Sequence, residues 1–504
     1  MARFAGSVAA ALALAAGAVA QTPPPMPEPV VVAPAVFPAA FPEPQAAGPS
    51  PTPSTLPNAP GEKSSSSGAP GLSGGVTPPP AARSFEAVWN NGLFFQTKDK
   101  EFVFHVGGAV QYDGAWYTAP AALEKFPGGT GPFNDGVNQR RGRLRADGTL
   151  YKNVDFAIEY EFFNGVGPVG VPATPANVFN SPGPTDAWIT LKNIPVVGNI
   201  RIGNQKEPFS LEHLNNYRAL EFLERSVLFD ASQATRFNNG FTPGISVFRT
   251  WADDRIYTAG GFFKNESDLF GFGVGDGNYA TTGRAGVLPI YDPASNVSVW
   301  LGGAMSYRNP VNGQVRVNVR DNVRNAPFPL LNLLADTGVI NASSQSLYNL
   351  ETGIALGPVT VQAEYLANLV RNAGTVGGPN VGTAVFQGFY AEGMVFLTGE
   401  RRTWNPKAAV FNRIQPLTNF GFSSDGTPTG MGAFELAARY SYLDLTDKGL
   451  AGGRLNSVTL GLNWYLNANA KLQFNYDYTY RDLVANPAAR GEIHAVGTRM
   501  AFDF

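Results

Sequence analysis

The chain has 504 residues, of which 44% are hydrophobic and 12% aromatic, but only 15% are charged. Soluble domains usually carry about 25% charged residues, so this chain is poor in charge without being unusually apolar. Its 57 glycines and 40 prolines argue against coiled coils and helical membrane bundles, and its net charge of −2 disfavours nucleic acid as a partner.

Met1–Ala20 carries one basic residue, Arg3, then an alanine-rich apolar run ending in Ala18-Val19-Ala20. This is the order of a secretory signal peptide, and it predicts a mature chain starting near Gln21. Residues 21–83 hold eighteen of the forty prolines, with Ser64–Ser67 and few charges. Such a composition buries too little apolar surface to offset ordering entropy, and predicts a disordered periplasmic spacer. Spacing alone and contact with the cell wall are both compatible with it. The rest, 84–504, is predicted to be one domain.

From about residue 100 the sequence alternates with period two. Phe156, Ile158, Tyr160 and Phe162 interleave with Asp155, Ala157, Glu159 and Glu161; Leu472, Phe474, Tyr476, Tyr478 and Tyr480 interleave with polar residues. Each such segment is a strand with one apolar and one polar face. Sixteen are predicted. The first eight lie near 102–116, 139–150, 154–163, 185–192, 199–205, 243–251, 255–263 and 281–288. The second eight lie near 296–308, 347–356, 359–370, 384–397, 431–443, 456–466, 471–481 and 492–504.

Three features favour a transmembrane antiparallel β-barrel over a soluble sandwich. The strands exceed the usual 5–6 residues of soluble sheets. Aromatic pairs such as Trp116-Tyr117, Phe262-Phe263 and Trp464-Tyr465 sit near strand ends, as in interfacial girdles. The chain ends on Val496, Thr498, Met500, Phe502 and Phe504, an apolar face closed by an aromatic.

Connections alternate too. Short turns fall near Lys152, Ile194–Gly198, Ala252–Asp254, Gly357-Pro358 and Asn467–Ala470. Long ones fall at 118–137, 164–184, 206–240, 264–280, 309–346, 371–383, 444–455 and 482–491. An even strand count returns both ends to the periplasm, provided that 398–430, including Trp404–Arg413, is a long periplasmic turn insertion. Sixteen strands leave an aqueous lumen. Leu211–Leu228 reads as locally helical and amphipathic, and either folds inward as a constriction or forms a surface lid or subunit contact.

Arg140–Tyr151 (RRGRLRADGTLY), Ile202–Phe209 (IGNQKEPF), Glu221–Leu228 (EFLERSVL), Phe396–Arg402 (FLTGERR), Ala433–Leu445 (AFELAARYSYLDL) and Leu460–Tyr465 (LGLNWY) follow one another in order. Together they resemble the phosphate-selective porin O and P family over roughly 100–504. The resemblance implies a bacterial outer-membrane location, a sixteen-stranded barrel embedded in outer-membrane lipid, a homotrimer, and passage of small inorganic anions such as phosphate or polyphosphate. The proline-rich segment departs from that pattern.

With Leu144, Ala146 and Leu150 on the lipid face, Arg141, Arg143 and Arg145 share the lumen face, about 7 Å apart. Guanidinium groups stay charged and offer forked donors matched to phosphate oxygens, so the row is an adequate anion track. Alternatively, a three-residue turn at Tyr151–Asn153 sets Arg145 opposite Glu159 and Arg143 opposite Glu161. The arginines then brace the wall of a non-selective diffusion pore. Arg140 and Arg141 escape that pairing. Lys206 opens the 206–240 loop and lines the constriction or its rim. Arg316 and Arg320 share a face of the 309–346 loop, either in solvent or as an inward vestibule. Arg201 and Arg439 read as wall residues.

No cysteine exists, and His105, His213 and His494 are scattered. A barrel-embedded lipase or protease would need a nucleophile, a base and an orienting group, and no such motif is found. The expectation is a channel without chemistry, metal or cofactor. A purely structural tether through 21–83 is the third alternative.

Overall fold

The computed structural model describes residues 83–504, apart from 126–130, 168–172, 175, 234–239, 266–276 and 484–488. The expected signal peptide and nearly all of the expected spacer lie outside the described residues.

Sixteen antiparallel strands form a closed barrel. The first eight are β1 (Val103–Thr118), β2 (Gly136–Leu150), β3 (Val154–Glu161), β4 (Gly183–Ile194), β5 (Gly198–Lys206), β6 (Phe241–Trp251), β7 (Ile256–Lys264) and β8 (Tyr279–Asp292). The second eight are β9 (Val297–Arg308), β10 (Ser344–Leu356), β11 (Val359–Thr375), β12 (Gly382–Phe396), β13 (Ala433–Asp447), β14 (Leu450–Tyr465), β15 (Ala470–Asp482) and β16 (Gly491–Asp503). Each pairs with the next, and β16 returns to β1 with His494 opposite Thr118 and Asp503 opposite Ala109. Closure leaves no open edge in the lipid, where an unpaired backbone group is costly.

The two faces follow the period. Leu144, Ile158, Leu350 and Met500 point outward and are more than half exposed, while Arg143, Glu159, Glu351 and Arg499 point inward and are buried. The outward face is the apolar band that lipid covers. A hairpin, Glu86–Trp89 with Leu93–Gln96, extends the same edge of β1 below β16, Leu93 lying opposite Val106. Between them Phe504 exchanges backbone hydrogen bonds with Gly108. The approach needs glycine: a Cβ at Gly107 would stand 2.4 Å from the Phe504 carbonyl oxygen.

Three expectations need correction. The stretch 444–455 is not a long loop, because β13 and β14 continue to Asp447 and Leu450 and turn at Lys448-Gly449, both at positive φ. Leu445, Leu450 and Leu455 are buried in one cluster with Val317 and Leu334 of the 309–343 loop, so the extended hairpin has a surface to pack on. For 371–383, β11 and β12 likewise extend and leave only 376–381 between them. Finally, Leu211–Leu228 is not one helix. It holds a four-residue turn of helix (Leu211–Leu214), a 3-10 turn (Tyr217–Ala219) and the start of a second helix (Val227–Gln233). Polar groups on the lumen wall take the hydrogen bonds that a continuous helix would make to itself.

The insertion between β12 and β13 leaves the barrel wall at the end opposite to the 207–240 and 309–343 connections, as parity requires. Within it, Trp404–Asn405 and Val410–Phe411 make a two-residue ladder.

Candidate functional site

Three connections enter the lumen. The first, 207–240, crosses it. The Glu212 backbone N–H donates to Glu364 on β11 (2.7 Å), Asn215 Nδ2 to Gln362 Oε1 on the same strand (3.0 Å), and the Leu223 N–H to Asn475 on β15 (3.0 Å). Glu212 also accepts from the Ser226 N–H and Oγ (2.6 and 2.7 Å), closing the segment on itself. The second, 309–343, carries its own hairpin, Gln314–Arg320 with Leu333–Asn341, and Tyr117 Oη donates to the Val323 carbonyl (2.5 Å). The third comes from the opposite end. Within 397–432, Arg402 pairs with Glu221 and donates to the Ala219 carbonyl (2.9 Å), while the Phe411 N–H donates to Asn215 Oδ1 (3.2 Å). Trp404 and Phe411 are buried with Trp300, Leu211 and Tyr257.

The arginines of β2 face the lumen, but they are not alone there. Between Gln111 opposite Arg141 and Tyr112 opposite Gln139, Arg140 is an extra residue: a β-bulge. The bulge turns a side chain that strict alternation assigns to lipid into the interior. Arg140 donates to Glu224 twice (2.6 and 3.0 Å), Arg499 lies 3.0 Å from the same carboxylate, Arg324 3.6 Å and Arg141 3.8 Å. Burial alone would raise the Glu224 pKa, but Arg140, Arg324 and Arg141 hold it well below the usual carboxylate range. Arg141 also donates to Gln111 Oε1 (2.6 Å).

Arg143 and Arg145 take the bracing arrangement. Arg143 lies opposite Glu161 and Arg145 opposite Glu159. Arg143 reaches both Glu159 and Glu161 at 2.8 Å, and Arg145 reaches Asp147 and Asp186 at 2.7 Å. Lys206 Nζ donates to the carbonyls of His213 (2.5 Å) and Asn215 (3.3 Å), which fastens the crossing segment to β5. Arg316 stands apart on the outer loop, half exposed and bound in a fork by Asp336. Arg320 is folded inward, where its backbone N–H donates to Asp230 Oδ2 (3.0 Å).

Below the crossing segment lies a cavity of about 660 Å³, walled by β1–β7 and by residues 407–413 of the inserted connection. Its lining carries Arg143, Arg145, Arg201, Lys206, Arg218, Lys407 and Arg413 against Asp147, Glu159 and Asp186. Arg218 and Arg413 also share Asp503, at 3.4 and 2.9 Å. Arg201 differs from the β2 arginines. Its Nε donates to Thr190 Oγ1 (2.9 Å), its guanidinium lies 3.8 Å from the centre of the Trp188 ring, and among the described residues no carboxylate approaches it within 4 Å. Lys407, Arg218 and Arg413 were not among the residues singled out from sequence, and Arg201 was read there as a wall residue. For Arg201 the signal existed, since its cross-strand neighbours are Thr190 and Ser246 and neither is acidic. Among the described residues no group of three or more His, Asp or Glu is arranged to hold a metal.

A model of the family described as phosphate-selective porin O and P matches residues 110–504. The chain belongs to that family. Porin O of Pseudomonas aeruginosa is 24% identical over 436 residues, covering 82% of this chain and 91% of its own. An uncharacterised protein of Caulobacter vibrioides is 26% identical over 443 residues, covering 85% and 80%. Among solved structures, an anion-selective porin from Comamonas acidovorans aligns with 80% of this chain and all of its own, at 12% identity and a TM-score of 0.44. Family and fold together make this a porin of the bacterial outer membrane, a channel for passive diffusion. The sixteen-stranded wall and family expected from the sequence are both present.

Proposed function

We propose that the channel favours small anions: inorganic phosphate, which the family description names, and its polymer polyphosphate. The observation that carries this reading is the cavity lining, with seven lysine and arginine side chains against three carboxylates. A basic surface at low-dielectric walls raises the local concentration of anions and excludes cations. The row Arg140, Arg141, Arg143 and Arg145 contributes less than its number suggests, because carboxylates meet it. The proposed ion-contact residues are therefore Arg201, Lys206 and Lys407, with Arg140 and Arg141 above them. Arg316 and Arg320 act at the outer vestibule.

A second reading, a general diffusion pore, is favoured by one observation: Arg143 and Arg145 are each matched by two carboxylates within 2.8 Å. Reversal potential in a planar bilayer under a KCl gradient separates the two. A chloride-selective current that phosphate blocks supports the first; an unselective or cation-selective current indifferent to phosphate overturns it. We further propose assembly as a homotrimer, with 1–20 as an export signal and 21–83 as a spacer able to reach the cell wall.

A further inference from the structure

We infer that the cavity below the crossing segment is a binding site for organic anions that join one carboxylate to an aromatic ring. The inference rests on the anion-channel reading and names a solute class for it. Inorganic phosphate is tetrahedral and strongly hydrated, and a wall that strips its water must return hydrogen-bond donors. Much of this wall cannot. Trp188, Tyr217, Phe241, Phe248, Tyr257 and Phe411 all line the cavity, and an aromatic face is electron-rich and offers an anion no donor.

The aromatic residues and the cations are interleaved. The Arg201 guanidinium lies 3.8 Å from the centre of the Trp188 ring and 5.2 Å from that of Phe248. Trp188 is itself held in place, its Nε1 donating to Asp186 Oδ1 (2.9 Å) while Asp186 is engaged by Arg145 (2.7 Å). The register explains the convergence. Arg201 lies opposite Ser246 on β6 and Thr190 on β4, so Phe248 and Trp188 come from positions two residues along, on the same lumen face. A guanidinium stacked on rings keeps its charge but is weakly hydrated, and it presents a fork that fits a carboxylate. An anion with an apolar body meets both halves of that wall. The ion pair forms at Arg201, and the ring leaves water against Trp188, Phe248 and Tyr257. At about 660 Å³ the cavity falls within the usual 300–1,000 Å³ range of small-molecule sites.

Full-length protein in planar bilayers tests this, with the chloride current recorded while benzoate, acetate or benzyl alcohol is added from the periplasmic side. Benzoate is expected to block at about tenfold lower concentration than acetate, the factor that one well-made aromatic contact supplies. Benzyl alcohol, lacking the charge, is expected to block no better than acetate. The benzoate-to-acetate ratio is read within each variant, so a change in conductance cancels. Trp188→Ala and, separately, Phe248→Leu should bring the ratio toward one, and Trp188→Phe should keep it. Equal block by benzoate and acetate in a chloride-selective channel overturns this inference alone. An undiminished ratio in both Trp188→Ala and Phe248→Leu does the same. A cation-selective current removes the anion reading and this one with it.

Discussion

Arg143 and Arg201 line the same cavity from walls three strands apart, and their neighbours assign them opposite tasks. Arg143 is buried between Glu159 and Glu161, each at 2.8 Å. Arg143→Ala would strand two carboxylates, and breaking such a buried pair costs about 3–5 kcal/mol. The expected result is unfolding at lower urea concentration or temperature. Arg201 holds no carboxylate in place, so Arg201→Ala should leave the unfolding midpoint nearly unchanged yet lower the chloride-to-potassium permeability ratio in a KCl gradient. If Arg143→Ala changes selectivity alone and Arg201→Ala stability alone, the division of labour is reversed. Arg316→Ala removes an exposed pair with Asp336 and should alter stability by no more than about 1 kcal/mol. The inward row of Arg141, Arg143 and Arg145 was legible from alternation. Arg140 was named as a candidate, but its inward turn onto Glu224 was not legible, because a bulge is a local insertion in the register and leaves no mark in the period.

The inserted connection 397–432 enters the lumen from the end opposite to that of the 207–240 connection. Its core contacts, Trp404 and Phe411 against Trp300, Leu211 and Tyr257, are apolar, and Arg402 ties it to Glu221 of the crossing segment. The barrel does not need it for closure, since Phe396 of β12 pairs directly with Glu435 of β13. Removing residues 403–412 should therefore leave a folded, membrane-inserted barrel with higher single-channel conductance. Unchanged conductance would show that the crossing segment alone sets the constriction. The boundary of this insertion was visible in the sequence as a stretch without period two. Its inward direction was not, because Trp404 and Phe411 find their partners on Trp300 and Leu211, more than a hundred residues away. The crossing segment was misread for a related reason. Its apolar spacing looked helical, but backbone N–H groups of the segment are satisfied by wall residues such as Glu364 and Asn475.

Across the whole molecule the lumen carries fixed charges of both signs, and the proposed selectivity for anions rests on a modest local excess of cations. Such a field is screened: the Debye length falls from about 10 Å at 0.1 M salt to about 3 Å at 1 M. Chloride selectivity should accordingly weaken as the mean KCl concentration rises from 0.1 to 1 M. A ratio that stays constant would point to direct coordination of the ion. Deleting 21–83 should leave conductance unchanged, since β1–β16 and the lumen segments are complete without it, and a change in attachment of the outer membrane to the cell wall would reveal the spacer's role.

Period two, the even strand count and the terminal aromatic are properties of neighbouring residues, so the sequence by itself determined a sixteen-stranded barrel with an apolar outside and a polar inside. Which charges remain available to an ion depends on pairs far apart in the chain. Arg499 meets Asp113 at 2.6 Å across the closing seam, and Glu224 gathers arginines from β2, β16 and the 309–343 loop. Coulomb energy depends on distance in space, and only the folded lumen sets those distances. The tertiary structure thus decided that the β2 arginines meet carboxylates of the wall, while Arg201, stacked on Trp188 with no carboxylate beside it among the described residues, lines the cavity.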